Sequence, residues 1–252
     1  MAEMIDCIIL AAGIGGRIKS DGNNLPKCLL KLDDEQTILS RQLKQLIEAR
    51  NVDRIIISTG FEHDQIEAYL DSNFSGLLGS KILLEYNPFY NISNNLISLW
   101  NLRGLVVDSG KGIMISNGDN VYGQVFCELV PDLPPDNLVV IRKKPSFDGD
   151  DMKVLIKDNA IQQINKNISS NETSGEAIGL SKFNVDGKIQ LFKMLDQMVK
   201  NPRHFSSFYL RSFEYLIRDE GFILNAHDCG NMFFEEVDFP EDYQRVRRTL
   251  PH

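Results

Sequence analysis

Apolar and polar positions divide this chain into two differently patterned halves. Apolar runs at 5–10 (IDCIIL), 53–59 (DRIIIST), 81–86 (KILLEY) and 112–116 (GIMIS) predict strands. Between the first two, the stretch TILSRQLKQLIEAR sets Ile38, Leu39, Leu43, Leu46 and Ile47 on one face of a helix, and DQIEAYL predicts a shorter one over 64–70. Strands that are apolar throughout, separated by amphipathic helices, imply a doubly wound, mainly parallel α/β sheet covered on both faces. Ligands on such sheets bind beyond the carboxyl ends of the strands, which places AAGIGGR and NGDN on one edge.

From about residue 137 the strand signals crowd together, at 137–143, 152–158, 160–166 and 175–183, with KDNA predicting a hairpin turn. Helices are expected over about 187–200 and 208–219, then a strand near GFILNA, 221–226. The end of the chain, EEVDFPEDYQRVRRTL, predicts a helix with acidic residues in its first turn and basic ones in its last, in accord with the helix dipole. No internal repeat, low-complexity tract or linker interrupts the pattern. The expectation is a single domain over 1–252 in which 137–225 form a small substrate-binding β lobe on a mixed sheet.

Length and composition agree with one large α/β domain: 252 residues, 42% hydrophobic and 25% charged. A net charge of -8 without a basic patch argues against nucleic acid or an anionic membrane as partner. No apolar run reaches membrane-span length and no leader pattern opens the chain, so a cytoplasmic protein is expected. Cys7, Cys28, Cys127 and Cys229 are widely spaced, with no C-x-x-C to suggest zinc or a disulfide framework. The four histidines are scattered, and sequons at Asn91, Asn167 and Asn171 carry no meaning without secretion.

The chemistry concentrates first in residues 7–32, CIILAAGIGGRIKSDGNNLPKCLLKL. A dinucleotide fingerprint is excluded because the place of its third glycine holds Ile18, and no Gly-Lys-Ser/Thr triplet makes a P-loop. What remains is a loop whose backbone N–H groups can approach an anion, with Arg17 inside it and Lys27 brought back by the next segment. These residues alone also admit an ordinary glycine-rich turn with a solvated Arg, and NGDN alone an ordinary turn.

Taken together, LAAGIGGR, LPKCLLKL, NGDN and EEVDFPEDY resemble the nucleotidyltransferases that activate phosphorylated small molecules, of GT-A-like fold. The stretch EYNPFYNISNNLISLW, with DDMKV and GEAIGLSKF, resembles more narrowly the CTP:phosphocholine and 2-aminoethylphosphonate cytidylyltransferases. The resemblance spans residues 7 to about 246. It implies CMP transfer from CTP to a small zwitterionic phosphate or phosphonate, with Mg²⁺ as cofactor, and leaves room for a homodimer. By the same resemblance Leu10, Ala11, Ala12, Gly13, Gly15, Gly16, Asn117 and Gly118 would bind the nucleotide. Arg17, Lys27 and Lys153 would be the catalytic cations, and Asp119 and Asp238 the metal ligands. Tyr86, Asn87, Tyr90, Asn94, Asn95, Trp100, Glu176, Phe234 and Glu236 would surround the acceptor, with Glu176 facing an amine and Lys153 the acceptor's anion.

The chemistry explains why such residues are needed. A phosphate oxygen, already anionic near neutral pH, attacks the α-phosphorus and pyrophosphate leaves, so charge neutralisation matters more than a general base. One departure from the family stands beside Asp238: Phe239 precedes Pro240 where a hydroxyl or acidic residue is common, so Asp238 is expected to be drawn into capping, in competition with metal binding. Rival readings are a sugar-1-phosphate nucleotidyltransferase, which shares the opening loop, and a nucleotide-sensing domain without turnover. The presence of Lys27, Asp119 and Asp238 weighs against the latter.

Overall fold

Every residue of the first strand, β1 (Ile5–Leu10), is buried, and alternate side chains serve opposite faces of the sheet. The computed structural model describes residues 3–18, 24–124 and 126–250. After β1 the order is α1 (Ile38–Glu48), β2 (Val52–Thr59), α2 (His63–Phe74), β3 (Ile82–Tyr86), α3 (Asn95–Asn101), α4 (Arg103–Val106), β4 (Gly112–Asn117), β5 (Asn120–Tyr122) and α5 (Phe126–Asp132). Then follow β6 (Leu138–Arg142), β7 (Lys153–Lys157), β8 (Ala160–Asn165), β9 (Gly175–Phe183), α6 (Val185–Met198), α7 (Leu210–Glu220), β10 (Asn225–Asp228), β11 (Phe234–Glu236) and α8 (Pro240–Thr249).

Nine of these strands form one mixed sheet in the order β3-β2-β1-β4-β9-β6-β10-β8-β7, and β5 and β11 pair separately. The four strands expected from the first half are mutually parallel. Strand β9 turns the direction, running antiparallel between β4 and β6, and the β7–β8 hairpin extends the far side. Ile8 and Leu10 pack with α3, α6 and α7 residues such as Leu99, Leu195 and Phe213, whereas Ile5, Cys7 and Ile9 pack with Leu39, Leu43 and Phe126 on the other face. Both faces are thereby covered, as continuous apolar strands require.

Local signals account for the boundaries. Thr37 and Ser40 exchange side-chain-to-backbone hydrogen bonds that start α1 as a capping box. Asp158 and Asn159, at φ of 52° and 63°, make the tight β7–β8 turn that a two-residue hairpin prefers. Gly221, at φ 63°, ends α7. The strand expected over 221–226 begins four residues later, because Phe222 still bonds back to the Leu216 carbonyl and sheet pairing starts at Asn225, whose N–H donates to the Asn137 carbonyl. Helix α2 runs through Phe74, beyond the expected 64–70. No helix among the described residues is long and apolar enough to cross a membrane.

Candidate active site

The carboxyl ends of β1 and β4 meet because residue 118 has no side chain. A Cβ on Gly118 would lie 2.7 Å from the Leu10 carbonyl oxygen and 3.0 Å from Ala11, so the NGDN turn sits directly against the AAG loop. Gln42 of α1 holds that turn from below, its amide donating to the carbonyls of Asn117 and Asn120 at 3.0 and 2.7 Å. Asn120, fully buried, fastens it to β9 by donating to the Ile178 carbonyl at 2.8 Å. Neither Gln42 nor Asn120 was singled out from the sequence, since their work is done by buried amides with no motif of their own.

The glycine loop leads to Lys27. Gly15, at φ 63°, lies against the lysine stem, where an added Cβ would be 3.2 Å from Lys27 Cβ. The Lys27 ammonium donates to Asp119 Oδ2 at 2.7 Å and to Asp238 Oδ1 at 2.6 Å. Burial alone would lower its pKa, but the two carboxylates override this and raise it, keeping the lysine charged. Arg17 reaches Asp238 at 3.5 Å and its guanidinium lies 5.5 Å from the centre of the exposed Phe239 ring. Capping of α8 does not engage the Asp238 carboxylate: Asp242 does that work, accepting from the Asp238 and Phe239 N–H groups at 3.2 and 2.9 Å. The competition expected beside Pro240 is thus relieved by the third residue of the helix.

Asp119, Glu236 and Asp238 bring carboxylate oxygens within 4.8 Å of one another. Asp119 Oδ1 is buried and has no hydrogen-bond partner among the described residues. Desolvation, followed by the charges of Asp119 and Asp238, pushes Glu236 up to about 8 even though much of its surface opens to the cleft. Crowded hard oxygen donors with an orphaned buried acceptor fit a divalent cation such as Mg²⁺.

Lys27, Arg17 and the three acidic residues line a cleft of about 510 Å³. Among the residues singled out from the sequence, Leu10, Ala11, Ala12, Gly13, Gly15, Gly16, Arg17, Lys27, Asn117, Gly118, Asp119, Glu236 and Asp238 border it, and so do Tyr90, Asn94, Asn95 and Glu176. Lys153, Tyr86, Asn87, Trp100 and Phe234 do not. Lys153 is 4% exposed and its ammonium donates to the Lys166 carbonyl at 3.0 Å. Lys153 pairs with Asn165 across the hairpin, and its neighbours in the hairpin, Met152 and Lys166, border the cleft where it does not. The indole N–H of Trp100 donates to Asp196 of α6 at 2.9 Å, on the side of α3 away from the cleft, where Asn95 and Ser98 point. Asn87 is buried and bonds Ser98 and the Phe89 N–H. Tyr86 leans on His63 and Tyr90. Phe234 packs between Tyr122 and the Arg142 guanidinium, which leaves no open face for a ligand.

Two motif residues bordering the cleft are also engaged internally. Asn94 caps α3 by accepting from the Asn95 N–H at 2.7 Å, and Asn95 accepts from the Tyr209 N–H at 2.8 Å, where α7 begins. Glu176 is matched by Arg142 and Lys144, each 3.1 Å away. Two lining residues missed from the sequence, Lys166 and Asp150, form an ion pair at 3.6 Å, and the Lys166 ammonium lies 5.8 Å from the centre of the Phe208 ring. Hairpin register was the available signal for Lys166; none was available for Phe208.

No family model matches the chain. It is 38% identical over 90 residues to the choline-phosphate cytidylyltransferase of Haemophilus influenzae, 37% of that protein's length. It is 29% identical over 73 residues, or 31% of the relative's length, to the D-glycero-alpha-D-manno-heptose 1-phosphate guanylyltransferase of Aneurinibacillus thermoaerophilus. The chain thus spans about a third of the length of these two curated relatives. A third alignment, to the CTP:phosphoglutamine cytidylyltransferase of Campylobacter jejuni, covers 95% of this chain and 98% of that one at 22% identity. Among solved structures, the CTP:phosphocholine cytidylyltransferase of Streptococcus pneumoniae superposes with a TM-score of 0.78 at 19% identity, covering 97% of this chain and 98% of that one. The chain therefore shares its fold with that cytidylyltransferase, and in sequence it is similar to nucleotidyltransferases, two of these three relatives being cytidylyltransferases.

Proposed function

We propose that the protein transfers CMP from CTP to a small amino-alcohol phosphate or aminoalkylphosphonate and releases pyrophosphate. The observation that carries this reading is the Lys27 ammonium held between Asp119 and Asp238 directly beside a glycine loop that ends in Arg17. An acceptor oxygen forms a bond to the α-phosphorus as the bond from that phosphorus to the β-phosphate oxygen breaks, and pyrophosphate carries away the electron pair. The acceptor is already an anion, so no side chain has to remove a proton.

What the chain supplies is position and charge. The backbone of Gly13–Gly16 approaches the triphosphate, with Arg17 and Lys27 offsetting its charge. Asp119 and Asp238, with Glu236 beside them, would hold Mg²⁺, which as a Lewis acid neutralises phosphate charge. At the acceptor end Lys166, rather than Lys153, is the cation the β7–β8 hairpin presents, and Asp150 is the acid left for an amine, because Glu176 already serves Arg142 and Lys144.

A pyrophosphate-release screen tests the reading: CTP, UTP, ATP and GTP, each with Mg²⁺, against phosphocholine, phosphoethanolamine, 2-aminoethylphosphonate and hexose 1-phosphates. Turnover with CTP and an aminated acceptor is expected. Turnover confined to a hexose 1-phosphate would establish the sugar-1-phosphate reading in its place, and no turnover with any pair would leave the nucleotide-sensing one.

A further inference from the structure

The Lys27 ammonium occupies the gap that a metal ion would need. Its two short hydrogen bonds go to one oxygen each of Asp119 and Asp238, and the lysine side chain is only 14% exposed. An ammonium 2.7 and 2.6 Å from these oxygens and a small divalent ion at about 2.0 to 2.1 Å from the same oxygens cannot share the gap, and their like charges repel. Asp119 Oδ1, buried and without a partner among the described residues, is a second and independent sign that this carboxylate is built for a cation besides the lysine. Among the described residues Arg17 also reaches toward Asp238, but at 3.5 Å and largely exposed it does not fill the gap.

We infer that Lys27 is an internal counter-cation that keeps the metal position closed until the phosphates of a nucleotide draw its ammonium away, so that a divalent ion enters with the nucleotide and not before it. The lysine stem lies against Gly15, and its flexible end can pivot from the carboxylates to an anion on the glycine loop. Removing the ammonium leaves the Asp119 and Asp238 carboxylates uncompensated beside Glu236, and a dication then becomes their natural partner. The exclusion of metal by Lys27 stands on the protein alone. Only its displacement by nucleotide rests on the proposed function.

The test uses the whole protein, with Mn²⁺ as probe. Free Mn²⁺ is followed by electron paramagnetic resonance without nucleotide, in wild type, Lys27→Met and Lys27→Met/Asp238→Asn. Lys27→Met is expected to bind Mn²⁺ at least about tenfold more tightly than wild type, and the double variant to lose that gain. Equal or weaker binding by Lys27→Met, or retention of tight binding in the double variant, overturns the inference. Melting curves of the same proteins supply a readout that also reports folding: Mn²⁺ alone should raise the Tm of Lys27→Met and leave that of wild type nearly unmoved. Wild type should rise only when CTP and Mn²⁺ are added together, beyond the effect of either alone. If Mn²⁺ distinguishes the two forms but CTP changes neither, Lys27 remains the occupant of the metal position and the nucleotide reading falls.

Discussion

Lys153 and Lys166 are joined by a hydrogen bond from the Lys153 ammonium to the Lys166 carbonyl, yet they belong to opposite faces of the same hairpin. Lys153 is buried, and Lys166 borders the cleft. Lys166→Met is therefore expected to raise the acceptor KM by about tenfold, with little change in the KM for CTP, because one charge-assisted contact is worth on the order of 1.5 to 3 kcal/mol. Lys153→Met should leave both KM values near wild type and act on thermal stability alone. Steady-state kinetics with each substrate varied check this, and the reverse pattern would return Lys153 to the acceptor.

For the carboxylates, Asp119→Asn and Asp238→Asn are each expected to lower kcat by on the order of 10² or more, since each removes an oxygen charge from beside the transferring phosphate. The Asp119 variant also leaves Lys27 with one anionic partner in place of two. Circular dichroism establishes folding before kinetics are compared. Near-wild-type turnover in a folded variant would remove that residue from the site.

Much of the framework was legible because it rests on local rules. Strand and helix periods located β1, α1, β2, β3 and β4, and a two-residue turn located the β7–β8 hairpin. The glycines, Arg17, Lys27 and the two aspartates occupy short stretches of the sequence, and the fold brings them to the border of one cleft. At the acceptor end the decisive facts are tertiary. Asn95 proves to cap a helix 114 residues away, Trp100 turns toward α6, and Glu176 meets two cations on β6 and the loop after it. None of these partnerships leaves a trace in spacing, and a one-residue choice of strand parity separates Lys153 from Lys166.

Asn95 ties α3 to the start of α7, whose Tyr209 and Leu210 border the cleft. Asn95→Ala should cost about 1 to 2 kcal/mol, the usual range for losing a cap and stranding a backbone N–H. The acceptor KM should rise with it, while CTP binding is unaffected. Urea unfolding and isothermal calorimetry with CTP separate the two effects.

Asp151 accepts from the Lys144 ammonium at 2.7 Å and from the Asp148 N–H at 2.8 Å. Burial opposes ionisation, but these bonds win and hold Asp151 below the usual carboxylate range; Lys144 is likewise raised, against its own burial, by Asp151 and Glu176. A depressed acid contributes stability that is present above its unfolded value near ~3.9 and lost as pH falls through its folded value. A raised lysine contributes stability that is present below ~10.4 and lost as pH rises through its folded value. Asp151→Asn should thus cost about 1.5 to 3 kcal/mol at neutral pH. The difference from wild type should shrink below pH ~4. Urea melts across pH check this, and a difference that persists at the acid end would show that the aspartate works through shape and not charge.

The acceptor's far end tests the charge layout of the cleft most directly. Glu176 is already matched by Arg142 and Lys144, so it contributes a neutralised wall, whereas Asp150 is paired among the described residues with Lys166 alone and its side chain is 75% exposed. An incoming amine can displace Lys166 from Asp150 at little cost, because an exposed ion pair is worth ~0 to 1 kcal/mol, and the freed ammonium can meet the acceptor's anion. Glu176→Gln should then weaken all acceptors alike, by loosening Arg142 and Lys144, without changing their ranking. Asp150→Asn should selectively penalise acceptors that carry a primary amine, by roughly tenfold in kcat/KM, and affect a neutral acceptor of the same length little. A trimethylammonium depends less on hydrogen bonds and more on aromatic faces, here Tyr90 and Phe208, the latter lying under Lys166 at 5.8 Å. The measurement is kcat/KM for 2-aminoethylphosphonate, phosphoethanolamine and phosphocholine in wild type, Asp150→Asn, Glu176→Gln and Phe208→Leu. Loss confined to Phe208→Leu would show that ring faces select the acceptor, and a change of ranking in Glu176→Gln would restore that carboxylate as the amine's partner.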